Sequence, residues 1–189
     1  MQNFIKEIEE SKESSEEFYQ FLIKLCYRKA AKSSDDLSSQ NAALIIPLSG
    51  QIINPVPNKI PNGVEKFEER IKQRPTKYDF IEHAERGAIY EAARLGIKLE
   101  GATMVCPWVA CADCSRAIAL SGIKKIVTHK QRNEATSLGR DNVTDVVSNR
   151  WINPITNGMA ILAEKEIEII QLDFKAGIKI LINEKIIEI

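Results

Sequence analysis

The chain has 189 residues, 44% apolar and 28% charged, and its 26 Lys and Arg balance its 26 Asp and Glu. That length supports one full core and not two of ordinary size, so a single domain over residues 1–189 is expected, with residues 1–14 as a mobile N-terminal segment. The composition is that of a soluble globular protein; zero net charge removes the overall positive field that draws a protein to nucleic acid, though a local basic patch is still compatible with it.

The opening MQNFIKEIEESKESSEEF is acidic and lacks an apolar run of signal-peptide length. Nowhere does the chain approach the roughly eighteen uninterrupted apolar residues that a spanning helix needs. Four cysteines without a secretion signal point to a reducing, cytoplasmic compartment, where clustered cysteines bind metal or do chemistry more often than they form disulfides.

From Ser14, SSEEFYQFLIKLCYRKAAKSS predicts an amphipathic helix with Ser15 as N-cap and Phe18, Phe21, Leu22 and Leu25 at helical spacing. Cys26 falls among these positions and reads as core packing. After the polar DDLSSQ, NAALIIPLSGQIINP predicts a hairpin, two short β-rich runs around Leu48-Ser49-Gly50. VPNKIPNGVE is a loop, because the φ preferences of Pro, Gly and Asn stop regular structure. Residues 65–78 are charged and helical in part.

EHAERGAIYEAARLGI, from Glu82, predicts a second helix with Ala88, Ile89, Ala92, Ala93 and Leu95 on its apolar side and Gly96 at its C-terminal end. GATMVCPW reads as a buried strand, ADCSRAIALSG as a helix closed by Gly122, and IKKIVTH as another strand. Residues 130–152 are polar and irregular. ITNGMAILAEKE reads as a helix, IEIIQLD as a strand and GIKILINEKIIEI as a terminal strand or hairpin. Helices alternating with short apolar strands behind an opening hairpin predict an α/β fold, a three-layer α/β/α sandwich with a central mixed β-sheet.

Three of the four cysteines lie in CPWVACADC, and only two histidines exist, His83 and His129. His83 stands in HAE at the head of the second helix, and CADC heads the third. In a first helical turn, residues two apart can both bend toward the space beyond the helix end, so His83 and Glu85 can flank one ligand. The unpaired N–H groups and the dipole at the other helix start favour thiolates. Together the two heads make a His83/Cys111/Cys114 site for Zn²⁺, with the fourth tetrahedral position left for water, the layout of a catalytic zinc. Cys106, upstream on a strand predicted to be buried, cannot share that turn and reads as core. His129 reads as a surface or capping histidine. Zinc lowers the pKa of water toward neutrality, and Glu85, not a ligand, would exchange protons with that water.

H-x-E followed by C-x-x-C, at two helix heads with a β-rich run between, resembles the signature of zinc-dependent nucleobase deaminases. Within that superfamily the chain resembles the deoxycytidylate (dCMP) deaminase family, phage members included, from about Phe18 to Asp173. FLIKLCYRKAAKSSDDLSSQNAALII is similar to the family's opening helix, connector and first strand; NKIPNG is similar to its N-x-x-P-x-G loop; HAERGAIYEAARLGIKLEGATMV and CADCSRAIALSGIKKIV follow the two metal-bearing segments. The resemblance implies that His83, Cys111 and Cys114 bind zinc, that Glu85 shuttles protons, that Asn58 hydrogen-bonds deoxyribose or base, and that Ala84 presents its backbone to the pyrimidine. Read from its surroundings alone, Asn58 is equally a turn residue. Substrate contacts are also expected at Trp108, which either stacks on the base or forms a core wall, and at Ala110.

The resemblance further implies conversion of dCMP to dUMP, with dCTP as a possible substrate, feeding dTTP synthesis. It implies a homohexamer in the cytoplasm (a host's, if the chain is viral), activated by dCTP with Mg²⁺ and inhibited by dTTP near the N-x-x-P-x-G loop. Ala110 replaces the proline that usually precedes the first ligand cysteine, Gly87 the frequent Asn two residues after the Glu, and Val56-Pro57 the usual glycine-flanked aromatic. Lys59, Arg86 and Arg94 are candidates for effector phosphates, and Lys130, Arg132 and Arg140 for substrate phosphate, unless residues 130–150 are simply a solvated loop. Action on a base within RNA or DNA would need a basic groove and aromatic platforms, and 6% aromatics with zero net charge argue against it. A catalytically silent zinc-stabilised module would have no use for Glu85.

Overall fold

The computed structural model describes residues 16–138 and 152–189. The expectations for residues 1–14, the Ser15 cap and Arg140 lie outside the described residues. Helix α1 (Glu16–Ser33) leads into β1 (Ala42–Ile46) and β2 (Ile53–Pro57), the expected hairpin, paired antiparallel with an irregularity between Ala43 and Ile45. The charged stretch forms two short helices, α2 (Glu68–Lys72) and α3 (Lys77–Phe80), before α4 (Ala84–Leu95). There follow β3 (Thr103–Val105), α5 (Ala112–Leu120), β4 (Lys125–His129), α6 (Lys130–Leu138), α7 (Ile152–Glu164) and β5 (Glu168–Leu172). A terminal hairpin, β6 (Lys179–Ile182) and β7 (Lys185–Glu188), forms its own two-stranded sheet.

The main sheet has the order β2-β1-β3-β4-β5. It is mixed: β1 pairs antiparallel with β2 and β3, whereas β3, β4 and β5 run parallel. The parallel pairs require crossovers, and α5 and α7 supply them. Alternation along each strand sorts side chains to two faces. Leu44, Val105 and Val127 pack against α1 and the terminal hairpin through Leu22, Ile23, Tyr27, Ile180 and Ile182. Ala43, Ile45, Met104 and Ile126 face α4, α5 and α7 through Ala88, Ala92, Ile118 and Leu162. This is the expected α/β sandwich, with the hairpin sharing the α1 layer. Among the described residues no helix is long and apolar enough to cross a membrane.

Several local expectations change: β2 runs on through Val56 and Pro57, at the start of the expected loop. Residues 130–138 are helical, not irregular; the helix follows β4 without a break and is polar enough to carry no apolar period. The buried stripe of α1 is Phe18, Tyr19, Leu22, Ile23, Cys26, Tyr27 and Ala30, with Phe21 and Leu25 only partly covered. In α4, Ala93 and Leu95 are exposed, because the buried stripe is Ala84, Ala88 and Ala92, four apart, and neither residue falls on it. Gly96 closes that helix as expected: at φ 67° it adopts the left-handed conformation, and its N–H donates to the carbonyls of Ala92 and Ala93.

His129 is fully buried rather than superficial. Its Nε2 lies 2.8 Å from the Phe174 carbonyl and its Nδ1 2.7 Å from the Tyr27 hydroxyl. A carbonyl only accepts, so Nε2 carries the proton and Nδ1 accepts from Tyr27. Both nitrogens are committed to joining α1, β4 and the chain after β5, and neither is offered to a metal. Burial lowers the imidazole pKa, with the Phe174 carbonyl and Asp173 opposing. Folding therefore favours the neutral form: the contribution is complete above the unfolded value near 6.5 and is lost as pH falls below it. Denaturant midpoints measured from pH 7 to about pH 5 should fall more steeply for wild type than for His129→Gln. A constant gap between the two would mean that the imidazole titrates alike in folded and unfolded chains.

Candidate metal centre and cavity

The site lies where β3 ends and two helices begin. His83 is the N-cap of α4 (φ −68°, ψ 147°) and Cys111 the N-cap of α5 (φ −73°, ψ 171°); both are extended, and neither side chain caps its own helix. Cys114 follows in the first turn of α5 and is completely buried. His83 Nδ1 lies 3.6 Å from Cys111 Sγ and 3.4 Å from Cys114 Sγ, and all three atoms are within 4.8 Å of one another. Zn–S bonds of about 2.3 Å and Zn–N bonds of about 2.0–2.1 Å in a tetrahedron hold N and S about 3.5 Å apart. The donor set fits zinc in both type and spacing. Among the described residues no fourth such donor joins it.

The electrostatics favour one thiolate in the trio. A hydrogen bond from the Cys114 thiol, opposed by burial and aided by His83, lowers the Cys111 pKa to about 4. Cys114 is raised, by donating that bond and by burial. Burial works against an imidazolium at His83, but the bond to Cys111 and the charge of Glu85 outweigh it, and the net shift is upward. Glu85 sits in the first turn of α4, only 4% exposed; burial raises its pKa, His83 opposes, and the Cys111 thiolate adds to the rise.

Cys106 stays in the core, as expected. It is 1% exposed, its pKa is pushed well up by burial and by Glu85, and Asn41 Nδ2 donates to its sulfur at 3.3 Å. Cys26 is likewise buried, its thiol directed at the Val105 carbonyl.

Asn58, Ala84 and Trp108 line the same cavity as His83, Glu85 and Cys111. Asn58 is a buried hydrogen-bond hub: its Oδ1 accepts from Ser34 Oγ (2.7 Å) and Asn41 N (2.9 Å), and its Nδ2 donates to the Ser39 carbonyl (2.9 Å). It is thus a structural residue and a cavity wall at once. Ala110 does not line the cavity; it is buried beneath α7.

The proposed phosphate cations fare differently. Arg132 is fully buried and stacks on the Trp108 ring, 4.4 Å from its centroid, with burial lowering its pKa to about 10. It backs the cavity wall and does not reach into the cavity. Lys130 pairs with Asp173 at 2.6 Å, also away from it. Arg86 donates to Glu82 at 2.6 Å and lines a second cleft beside His83. Lys59 and Arg94 share a separate groove of about 850 Å³ between β2 and α4, where Lys29 joins them.

Four features of the site were not read from the sequence. Lys77, 2% exposed, holds both oxygens of Asp36 at 2.7 and 2.8 Å, and both residues line the cavity. Asp36 Oδ1 also accepts from the N–H groups of Ser38 and Ser39. The buried Asn41 Oδ1 has no partner among the described residues and belongs to the same cavity lining. Lastly, Gly158 lets α7 lie on the ligand turn: a Cβ there would sit 2.6 Å from the Ala110 carbonyl oxygen and 2.9 Å from the Cys111 carbonyl carbon. A glycine inside a helical pattern was the one available hint.

Comparison with known proteins agrees with this geometry. The family described as the cytidine and deoxycytidylate deaminase zinc-binding region matches residues 16–130. The chain belongs to that family. Deoxycytidylate deaminases of Enterobacteria phages T2 and T4 are each 58% identical to it over 45 residues, 24% of this chain and 24% and 23% of theirs, so the matched stretch spans about a quarter of those relatives. The dCMP deaminase of cyanophage S-TIM5, solved with dCMP and dUMP, superposes with a TM-score of 0.61 at 20% identity, covering 84% of this chain and 98% of that one. A Thermotoga maritima diaminohydroxyphosphoribosylaminopyrimidine deaminase/reductase gives a TM-score of 0.52 at 22% identity over 81% of this chain and 36% of that one. The fold is that of cytidine deaminases.

Gly158→Ala should displace the Cys111 turn. Overpacking of this kind costs roughly 1–3 kcal/mol. The expected result is a melting temperature lower by several degrees and zinc released to a chelator at lower concentration than in wild type. Thermal unfolding with chelator titration checks both; no change in either would show that α7 yields without moving the ligands.

Proposed function

We propose that the chain is a zinc-dependent deaminase converting dCMP to dUMP and ammonia, and so supplying dUMP for dTTP synthesis. The observation that carries this reading is the meeting of His83, Cys111 and Cys114 around one point, with Glu85 buried beside them at the wall of a cavity. Zinc, when bound by those three residues, supplies the Lewis acidity that makes water nucleophilic near neutral pH. Glu85, with its pKa raised by burial, both accepts and returns protons: its carboxylate takes one from the attacking water and delivers it to the ring nitrogen, then takes the second from the added hydroxyl as the carbonyl forms and delivers it to the departing amine. Asn58 and the Ala84 backbone position the pyrimidine and sugar, and Trp108, backed by Arg132, contributes another part of the wall. The T2, T4 and cyanophage relatives support a deoxycytidine nucleotide as substrate.

Glu85→Ala should retain one zinc per chain while losing at least about 10²–10⁴-fold in turnover, the usual contribution of a general acid–base group. Ultraviolet-monitored deamination of dCMP, dCTP, cytidine and oligonucleotides, with metal analysis, tests this. Turnover confined to oligonucleotides would overturn the substrate, and residual activity above about a tenth of wild type would overturn the role of Glu85.

The regulatory reading is that a pyrimidine deoxynucleoside triphosphate (dCTP or dTTP), with Mg²⁺, occupies the groove of Lys59 and Arg94 in a homo-oligomer of six chains. Three cations in that groove support it, as do Tyr90 and Leu95, large apolar side chains exposed on the outer side of α4. Substrate saturation curves should become more sigmoidal with dTTP in wild type and less so in Lys59→Ala, for a coupling of roughly 1–3 kcal/mol. Purely competitive inhibition in both proteins would leave the cavity as the site of dTTP action.

A further inference from the structure

Of the cations expected to meet substrate phosphate, Lys130 and Arg132 are turned to other work and Arg140 is outside the described residues. The cavity itself brings a different set. Among the described residues its lining includes Arg74, Lys77 and the metal-binding candidate His83 as basic side chains. Lys77 is spent: its ammonium is held by both oxygens of Asp36 in a buried pair, so the two cancel.

Arg74 is placed otherwise. It lies just before α3, its side chain 28% exposed, with Nε donating to the Tyr78 hydroxyl at 3.1 Å and Nη1 to Glu184 at 3.0 Å. Its Nη2 has no partner among the described residues. Glu184, in the β6–β7 turn, is 57% exposed, and a single-point ion pair in such a setting contributes at most about 1 kcal/mol. A phosphate dianion with several acceptor oxygens competes well for a guanidinium held this way. The neighbouring Asn183 of the same turn also lines the cavity, so the terminal hairpin forms part of its wall.

We infer that Arg74 is the contact for the 5′-phosphate of the substrate, held ready by Tyr78 and Glu184 at the end of the cavity opened by the terminal hairpin. The inference rests on the nucleotide reading above. A base turned toward His83 and Glu85 leaves its phosphate to the remainder of the lining, where Arg74 is the cation not already locked in a buried pair.

The test is a binding cycle on zinc-loaded protein, with dUMP and deoxyuridine as ligands and wild type, Arg74→Gln and Arg74→Lys as proteins, read by calorimetry. Wild type should bind dUMP more tightly than deoxyuridine. Hydrogen bonds to charged groups imply that Arg74→Gln reduces this ratio by about ten- to a hundredfold, with Arg74→Lys between the two. A ratio unchanged in Arg74→Gln, or affinities for both ligands falling alike, would overturn the assignment. Failure of the deaminase reading would look different: wild type would turn over no cytosine substrate, while the binding cycle would still decide the role of Arg74.

Discussion

Two helices that begin at the same point set the terms for the rest of the molecule. A helix start presents unpaired N–H groups and the positive end of a dipole, which favour thiolate over thiol and carboxylate over acid. Placing His83 and Cys111 at N-cap positions turns both side chains outward from their helices, toward each other. A dication with two thiolates and a neutral imidazole carries no net charge, so it can be buried between two positive helix ends. Glu85, in the first turn of α4, is then the remaining negative charge at the centre, and its protonation is governed by burial and by whatever occupies the metal position. The convergence demands that α4, β3 and α5 be held to within fractions of an ångström. That is why α7 approaches the ligand turn through a residue with no side chain.

A second constraint is polar. The connector between α1 and β1 runs beside the cavity, where its backbone groups would be costly to bury unpaired. Asp36 meets this by accepting from two successive N–H groups while neutralised by Lys77, and Asn58 by bridging Ser34, Ser39 and Asn41. Buried pairs of this kind add little net stability, because desolvation opposes the attraction, yet removing one partner leaves a charge stranded at a cost of about 3–5 kcal/mol. Their contribution here is geometric: they fix one wall of the cavity relative to α4, so that a bound ring would have a rigid edge to meet.

Legibility from sequence followed the range of the interactions. The opening hairpin, the stop at Gly96 and the parallel strands were readable because turn residues and apolar periods are local. So was the pairing of HAE with CADC, since both are helix-head patterns whose spacing survives whatever lies between them. Helix α6 was hidden because LysGlnArgAsnGlu carries no apolar period, and the exposure of Leu95 because only the fold selects the narrow alanine stripe of α4 as the packed face. The choice of cations was least accessible. Lys130, Arg132 and Arg74 are chemically alike in the sequence, and only the fold makes one a surface ion pair, one a buried prop for Trp108 and one a cavity residue.

The family match ends at residue 130, whereas the cavity does not. Ile155 of α7 and Asn183 of the terminal turn complete its lining, and Gly158 and Glu184 position parts that the earlier segments contribute. Residues 83–114 therefore carry the groups suited to the chemistry, and the later chain shapes what can reach them. Helix α1 and the terminal hairpin share one layer: packed together through Leu22, Ile23, Ile180 and Ile182, they anchor the β6–β7 turn to the sheet that holds the metal-binding turn. The terminal turn and the sheet are thus joined through a single apolar cluster, so a contact made at Asn183 or Glu184 is tied by packing to the sheet beside the metal-binding turn.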